Sequence, residues 1–289
     1  MQFIICDLSQ IEARVLLTLV KDTGQLEQIR SGVSVYEAHA RASMGWMGGV
    51  LKKEDPKRYL LAKARVLALG YGCGWNKFIT MAYQPAYLDK DAKEVFSMPV
   101  TDFEVLQFQD FLYKYGDKIQ AKKWNRRSQD LEREWVNSWK IVTDFRQSNR
   151  KITKLWAFFD KAIKACHGSD YSILLPSGRE LIYRNVRVED DICSAVTVDK
   201  DKWKGSKLYG GLLVENVVQA IARDIFRDAC LRIEDAGYAV VCRIHDEALC
   251  EVPKGTDPEI IRALMSAPVS WFLDCPVDAE AKTADKYKK

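Results

Sequence analysis

The sequence contains no run of ~18 uninterrupted apolar residues, the minimum for a membrane-spanning helix. None of its eight cysteines stands in a Cys-x-x-Cys pair, and its three histidines, at 39, 167 and 245, are far apart. The usual spacings of a structural zinc site or a thiol redox centre are therefore missing. There is no low-complexity tract, no internal repeat, and no basic leader with a cleavage site behind Met1. These absences predict a protein without a membrane partner, cytoplasmic, with reduced and mostly buried thiols. What is present is ordinary globular composition: 289 residues, 47% hydrophobic and 29% charged, enough for one large or two small domains. A net charge of +4 says little about partners. Its distribution says more, because Lys118 to Lys164 is rich in Lys, Arg, Trp and Phe and includes Lys122-Lys123-Trp124-Asn125-Arg126-Arg127. Basic groups interleaved with aromatics suit a groove that tracks a nucleic-acid backbone. They equally suit an amphipathic helix with a solvated basic face.

Hydrophobic periodicity predicts a strand over 2–6, then a helix over 9–20 with Ile11, Val15, Leu16 and Leu19 at helical spacing. Further helices are predicted over 34–44, capped at Ser34 and stopped near Gly45, and over 56–70, opened by Pro56 in its first turn. Two or three helices are expected within 102–165. Tyr171–Leu175 and Arg179–Tyr183 read as strands joined by a Pro-Ser-Gly turn. A long helix over 212–235, a hairpin over 238–252 and a helix near 258–272 complete the pattern. An early strand, many helices and a late hairpin is an α+β arrangement.

Two short segments carry the chemistry. Asp7-Leu8-Ser9-Gln10-Ile11-Glu12-Ala13-Arg14 follows the apolar run Phe3-Ile4-Ile5-Cys6, and Ile244-His245-Asp246-Glu247 lies between two apolar runs. An Asp at a strand end and an Asp in a hairpin turn meet if the two strands are neighbours. Two such carboxylates can hold two divalent cations ~3.5–4 Å apart, the apparatus of in-line phosphoryl transfer. Mg²⁺ suits the task, since it takes one or two carboxylates together with substrate phosphates.

These segments resemble the first and last catalytic motifs of the family A (polymerase I type) DNA polymerases, in a bacteriophage-like form. Arg58 to Gly72 resembles the family's nucleotide-binding fingers helix. The run Glu215-Asn216-Val217-Val218-Gln219-Ala220-Ile221-Ala222-Arg223-Asp224 resembles the palm helix before the last motif. Leu175-Pro176-Ser177-Gly178-Arg179, Val142 to Trp156 and the tail Pro276 to Lys289 extend the likeness in collinear order over nearly the whole chain.

The resemblance implies an antiparallel palm sheet with helices and an inserted helical fingers region: palm over 1–30, fingers over 31–165, palm again over 166–289. It implies DNA-directed DNA synthesis with two Mg²⁺ ions, for which Mn²⁺ can substitute. Asp7 and Asp246 are then the bridging ligands, the Leu8 backbone carbonyl a further ligand, and Glu247 an auxiliary carboxylate near the primer terminus. Glu12 closes the space beneath the sugar C2′ and so selects deoxynucleotides. Lys63 binds the triphosphate, Leu67 lies against the sugar, and Tyr71 and Gly72 stand at the templating base. Lys63, Leu67 and Tyr71, spaced i, i+4, i+8, fall on one face of an ideal helix. Gln10 and Gln219 touch substrate or the minor groove, His245 supports the primer strand, and Arg223 makes a phosphate contact. Two positions depart from the family pattern. Tyr59 stands where an Arg is usual, with Arg58 one place earlier, and Tyr36 stands where bacterial members have a phosphate-contacting His. No thumb and no exonuclease domain is found among these residues. The expectation is therefore a palm-and-fingers subunit of a split polymerase in the cytoplasm of a phage-infected bacterium. Its partners would be primer–template DNA, dNTPs and a second polypeptide supplying the thumb and an exonuclease. The alternatives are a non-catalytic DNA-binding remnant of a polymerase and a single-subunit RNA polymerase; Glu12 speaks against the latter.

Overall fold

The computed structural model describes residues 1–82, 94–199 and 202–287; stretches 83–93, 200–201 and 288–289 of the expected fingers and palm lie outside them. Along the chain run β1 (Gln2–Leu8), α1 (Ile11–Leu19), α2 (Thr23–Arg30), α3 (Val35–Ser43), α4 (Leu51–Glu54) and α5 (Pro56–Ala64). A π-helical turn (Arg65–Leu69) continues α5, followed by α6 (Trp75–Ala82), α7 (Glu94–Ser97), α8 (Asp102–Tyr115), α9 (Lys118–Trp124), α10 (Gln129–Ser148) and α11 (Arg150–Lys164). Then come β2 (Tyr171–Leu174), β3 (Glu180–Glu189), β4 (Ile192–Asp199), β5 (Lys202–Leu208), α12 (Gly210–Asp235), β6 (Ala239–Ile244), β7 (Glu247–Val252), α13 (Pro258–Ser266) and β8 (Ala279–Ala284). The mixture of helices and antiparallel sheet is the α+β class read from the sequence. The chain divides into two units, Met1–Val35 with Ala157–Lys289, and Tyr36–Trp156.

The first unit is organised by the sheet β6-β7-β1-β8. β1 pairs antiparallel with β7 and with β8. Because side chains alternate across a strand, Ile4, Cys6 and Leu8 turn to one face, where Ala248, Cys250 and Val252 of β7 join them in full burial. α12 and α13 pack against this sheet, which is why α12 is apolar over most of its 26 residues. The same alternation sends Asp7 to the other face. A second sheet, β2-β3-β4-β5, carries the turn Leu175 to Arg179. That turn is fastened to α12: buried Asp224 accepts hydrogen bonds from Ser177 Oγ (2.5 Å) and Arg179 Nε (3.0 Å), and Arg179 also donates to the Ala220 carbonyl.

The second unit is helical with an aromatic core. Trp75, Phe108, Trp124 and Trp135 stand with ring centres 4.8–6.4 Å apart. Here the sequence reading needs correcting in two places. Residues 102–165 hold four helices, not two or three, because Gly116 and Asn125–Ser128 break the run and Thr101, Asp117 and Ser128 cap new starts. The helix expected over 56–70 is α-helical only to Ala64. Its π turn takes in one extra residue, about 100° of rotation on an ideal helix. The face carrying Lys63 is therefore displaced before Tyr71 is reached. Arg65, almost fully buried, starts the π turn and reaches Asp144 of α10 at 2.8 Å, while the Trp156 indole N–H donates to the Gly70 carbonyl at the helix end.

Candidate active site

The antiparallel register decides what surrounds Asp7. Glu247 of β7 is its cross-strand partner on one side and Glu280 of β8 on the other, so three carboxylates lie in a row across the open face. Asp246 is added by the β6–β7 turn. His245 adopts the left-handed conformation there, with φ 57°, and this tightens the turn enough to bring Asp246 back over β1. The Leu8 N–H donates to the Asp246 carbonyl (3.2 Å), which ties the strand end to the hairpin tip. Asp7 and Asp246, 239 positions apart in sequence, thus share a hydrogen bond between their carboxyl groups. Burial, the charges of Asp246 and Glu247, that hydrogen bond and the charge of Glu280 together push the Asp7 carboxyl up to about 6.

Is this a fitting place for divalent cations? Among the described residues no group of three or more His, Cys, Asp or Glu is arranged to enclose a metal ion. Mg²⁺ does not ask for such a cage, needing one or two carboxylates alongside substrate phosphates. Two observations fit it. The Asp7–Asp246 pair holds like charges close together, and Glu247 Oε1 is buried without a hydrogen bond among the described residues, the Tyr287 hydroxyl being its neighbouring donor.

The hairpin tip separates two depressions in this unit. One is lined by Asp7, Asp246, Glu247, Glu280 and Lys282, the other by Glu12, Gln219, Arg223, Phe226, His245 and Asp246. Glu12, in the first turn of α1, lines this depression with Gln219 of α12; burial, then Asp246 and Glu215, raise its pKa, and the Gln219 amide partly offsets the rise. Arg223 is exposed, its guanidinium 5.3 Å from the Phe226 ring, and among the described residues it has no ion pair. Gln10 is committed to structure on one side: it sits at φ 55° before α1, and its Oε1 accepts from the Val35 N–H (3.0 Å).

The remaining sequence candidates belong to the second unit. Tyr36 is buried in an apolar cluster with Ala40, Leu51 and Ala62, against which Tyr59, Val66 and Leu67 pack. Its ring meets Tyr59 edge-on at 5.5 Å, and burial, then Tyr59, push its phenol up to about 12. Tyr36 is thus a neutral group at any working pH. Arg58 lies 5.3 Å over the Trp46 ring and pairs with Asp55 at 3.3 Å. Lys63 is in the last turn of α5, Leu67 within the π turn, Tyr71 buried after it, and Gly72 at φ 81°, a conformation open to glycine without strain.

Sequence reasoning missed Glu280 and Lys282, which arrive on β8, and Arg14. Arg14 is buried and donates to the carbonyls of Ser9 (2.7 Å) and Pro276 (2.8 Å), clamping the turn after Asp7 to the tail. Alternation in Val277-Asp278-Ala279-Glu280-Ala281-Lys282 was the available signal for a strand. In the basic run, Trp124 is fully buried, with the Arg127 guanidinium 4.0 Å from its ring. That aromatic therefore belongs to the core and not to a groove.

An Asp carboxyl raised above its ordinary value of ~3.9 favours the folded state when protonated. Ionised Asp7 costs folded stability above about pH 6, and the cost disappears below about pH 4, where folded and unfolded chains are both protonated. Asp7→Asn is expected to raise the melting temperature of the metal-free protein at pH 8, with the gain vanishing near pH 4. Mg²⁺ should stabilise the wild type and leave the variant unmoved. A thermal melt across pH and Mg²⁺ reads both, and a variant no more stable at pH 8 would contradict the carboxylate crowding.

The mixture of helices and antiparallel sheet has the fold of a polymerase domain of the polymerase I type. The chain is similar in structure to the POL domain of Pol1 from M. smegmatis in complex with DNA primer-template and dNTP, with a TM-score of 0.53 and 17% identity over 99% of this chain and 40% of that one. In sequence it is 28% identical over 313 residues to the DNA polymerase of Bacillus phage SP02, across all of this chain. The chain spans 41% of the length of that relative. No family model matches it.

Proposed function

We propose that the chain catalyses template-directed DNA synthesis, extending a primer 3′-hydroxyl with deoxynucleoside triphosphates. The observation that carries the proposal is the meeting of Asp7 and Asp246 in one depression at the head of the sheet, assembled from opposite ends of the chain. Mg²⁺, or Mn²⁺ in its place, held by these two carboxylates and the Leu8 carbonyl, would activate the 3′-hydroxyl and neutralise the leaving pyrophosphate. Asp7 and Asp246 supply the negative charge for that purpose, and Glu247, with one oxygen unpartnered, stands beside them as the auxiliary carboxylate. Glu12 is half-buried beside Gln219 and Asp246, so its carboxylate would form a wall beneath the sugar. Lys63 meets the triphosphate. Arg58 is already engaged by Asp55 and Trp46, and Tyr36 carries no charge, so most of the phosphate recognition in this unit falls to Lys63. Leu67, Tyr71 and Gly72 line the nucleotide and templating base. Gln10, Gln219, His245 and Arg223 contact the duplex. Grip on the duplex from a thumb would come from outside these 289 residues.

Primer extension with dNTPs and with rNTPs, scored by product length under a DNA trap, tests the proposal. The wild type should use dNTPs, and the chain alone should make short products. Glu12→Ala should admit rNTPs because the wall is gone. Long products from the chain alone would contradict an external thumb, and an unchanged rNTP to dNTP ratio of kcat/KM would remove Glu12 as the gate. Preferential rNTP use by the wild type would favour the RNA polymerase reading.

A further inference from the structure

The second unit carries a surface unlike the rest of the molecule at the junction of α8 and α9. On α8, Phe108, Phe111 and Tyr115 follow one another at helical spacing and form a ladder from core to solvent. Phe108 is fully buried, Phe111 stacks on it at 6.2 Å, and Tyr115 follows at 5.4 Å, with Trp139 of α10 at 5.8 Å from both phenylalanines. Tyr115 is 67% exposed, so its ring is presented to solvent while being braced from beneath. On α9, Ile119, Lys122 and Lys123, continued by Arg126, share one exposed face, and Ile119 is 79% exposed. The Tyr113 hydroxyl, 3.2 Å from Asn125 Oδ1, joins the end of α8 to the end of α9.

Charge concentrates at the same place. From Lys114 to Arg127 the sequence has six cations and one carboxylate, Asp117, which is occupied in capping α9. Arg127 pairs with Glu132, but among the described residues Lys114, Lys118, Lys122, Lys123 and Arg126 have no ion pair. The Lys114 ammonium lies 5.2 Å from the Tyr115 ring centre. Asp102 and Glu104 lie in the first turn of α8, Glu104 paired with Lys140, while exposed Asp110 stands one turn before Lys114.

We propose that the Tyr115 platform and the cations of α9 form a docking surface for single-stranded nucleic acid, without base-sequence preference. A braced aromatic loses little freedom when a base stacks on it, and unpaired cations around it meet the phosphates on either side. An acidic protein segment would meet the cations but offers no base to stack on the ring. Duplex DNA buries its base faces and cannot use the exposed ring. This surface lies wholly in one unit, and binding there requires no catalysis.

Fluorescence anisotropy with a labelled oligothymidylate of about 20 nucleotides, against a hairpin duplex of equal charge, tests it. Tyr115→Ala should weaken single-strand binding about 10-fold, since a base–aromatic stack is worth ~1–3 kcal/mol. Tyr115→Phe should bind as the wild type, which a folding defect would not explain. Lys118→Ala combined with Lys122→Ala should reduce the slope of log K against log salt by ~1.4, two phosphate contacts at ~0.7 each. Asp7→Ala should bind the single strand unchanged, so a failure of the polymerase proposal leaves this result standing. Unchanged binding by Tyr115→Ala, an equal loss in Tyr115→Phe, or an equal loss for the duplex would overturn the proposal.

Discussion

Replacing Asp7 or Asp246 with Ala is expected to lower nucleotide incorporation by ~10³-fold or more while primer–template binding survives. Either change removes one of the two carboxylates that meet at the hairpin tip, and no neighbour can stand in. Glu247 and Glu280 flank Asp7 on adjacent strands, each held by its own register, and neither reaches Asp246's place in the turn. Neither substitution threatens the fold. Asp7 points to the open face of the sheet, opposite the packed layer of Ile4, Cys6 and Leu8, and Asp246 lies in a turn. Single-turnover insertion and a DNA-binding titration on the same preparations separate chemistry from binding. Near-normal insertion in either variant would remove the pair from the mechanism.

Lys63→Ala is expected to lower kcat/KM for the nucleotide by ~10²-fold, the scale of losing one charged group aimed at a reacting phosphate. Primer–template affinity should hardly change. The reason for so large an effect is local. Tyr36 and Tyr59 pack on each other where charged side chains would otherwise serve, and Arg58 is turned to Asp55 and Trp46. Lys63→Arg should retain part of the activity, because it keeps the charge but not the compact ammonium. Nucleotide titrations read the effect, and parallel losses of DNA and nucleotide affinity would assign Lys63 to the duplex instead.

The parts of the fold that the sequence announced are those whose burial pattern is strong. Phe3-Ile4-Ile5-Cys6, the alternating run of β7 after Asp246, and the long apolar stripe of α12 each report their own surroundings. The parts it concealed are made by their neighbours. β8 reads Ala-Glu-Ala-Lys-Thr-Ala, with little intrinsic preference for a strand; pairing with β1 makes it one, and Glu280 went unnoticed with it. The polar β5 was hidden in the same way, whereas the β-branched residues of β4 were a signal that went unread. α2 contains a Gly and ends within eight residues, too brief for periodicity to show. The π turn begins at Arg65, whose partner Asp144 lies 79 positions away and leaves no trace in the local pattern. The site was legible to the extent that its residues sit in two contiguous motifs. Arg14's clamp on the Pro276 carbonyl, 262 positions away, was not, because backbone carbonyls leave no trace in sequence.

The most direct test of the account is single-turnover incorporation on a primer–template with one unpaired templating base, at protein concentrations high enough to saturate the DNA. The account predicts that the complementary dNTP alone is added, once, only when Mg²⁺ or Mn²⁺ is present, and not by Asp7→Ala. Saturated DNA with no insertion by the wild type in either cation, or insertion that persists in Asp7→Ala, would contradict it.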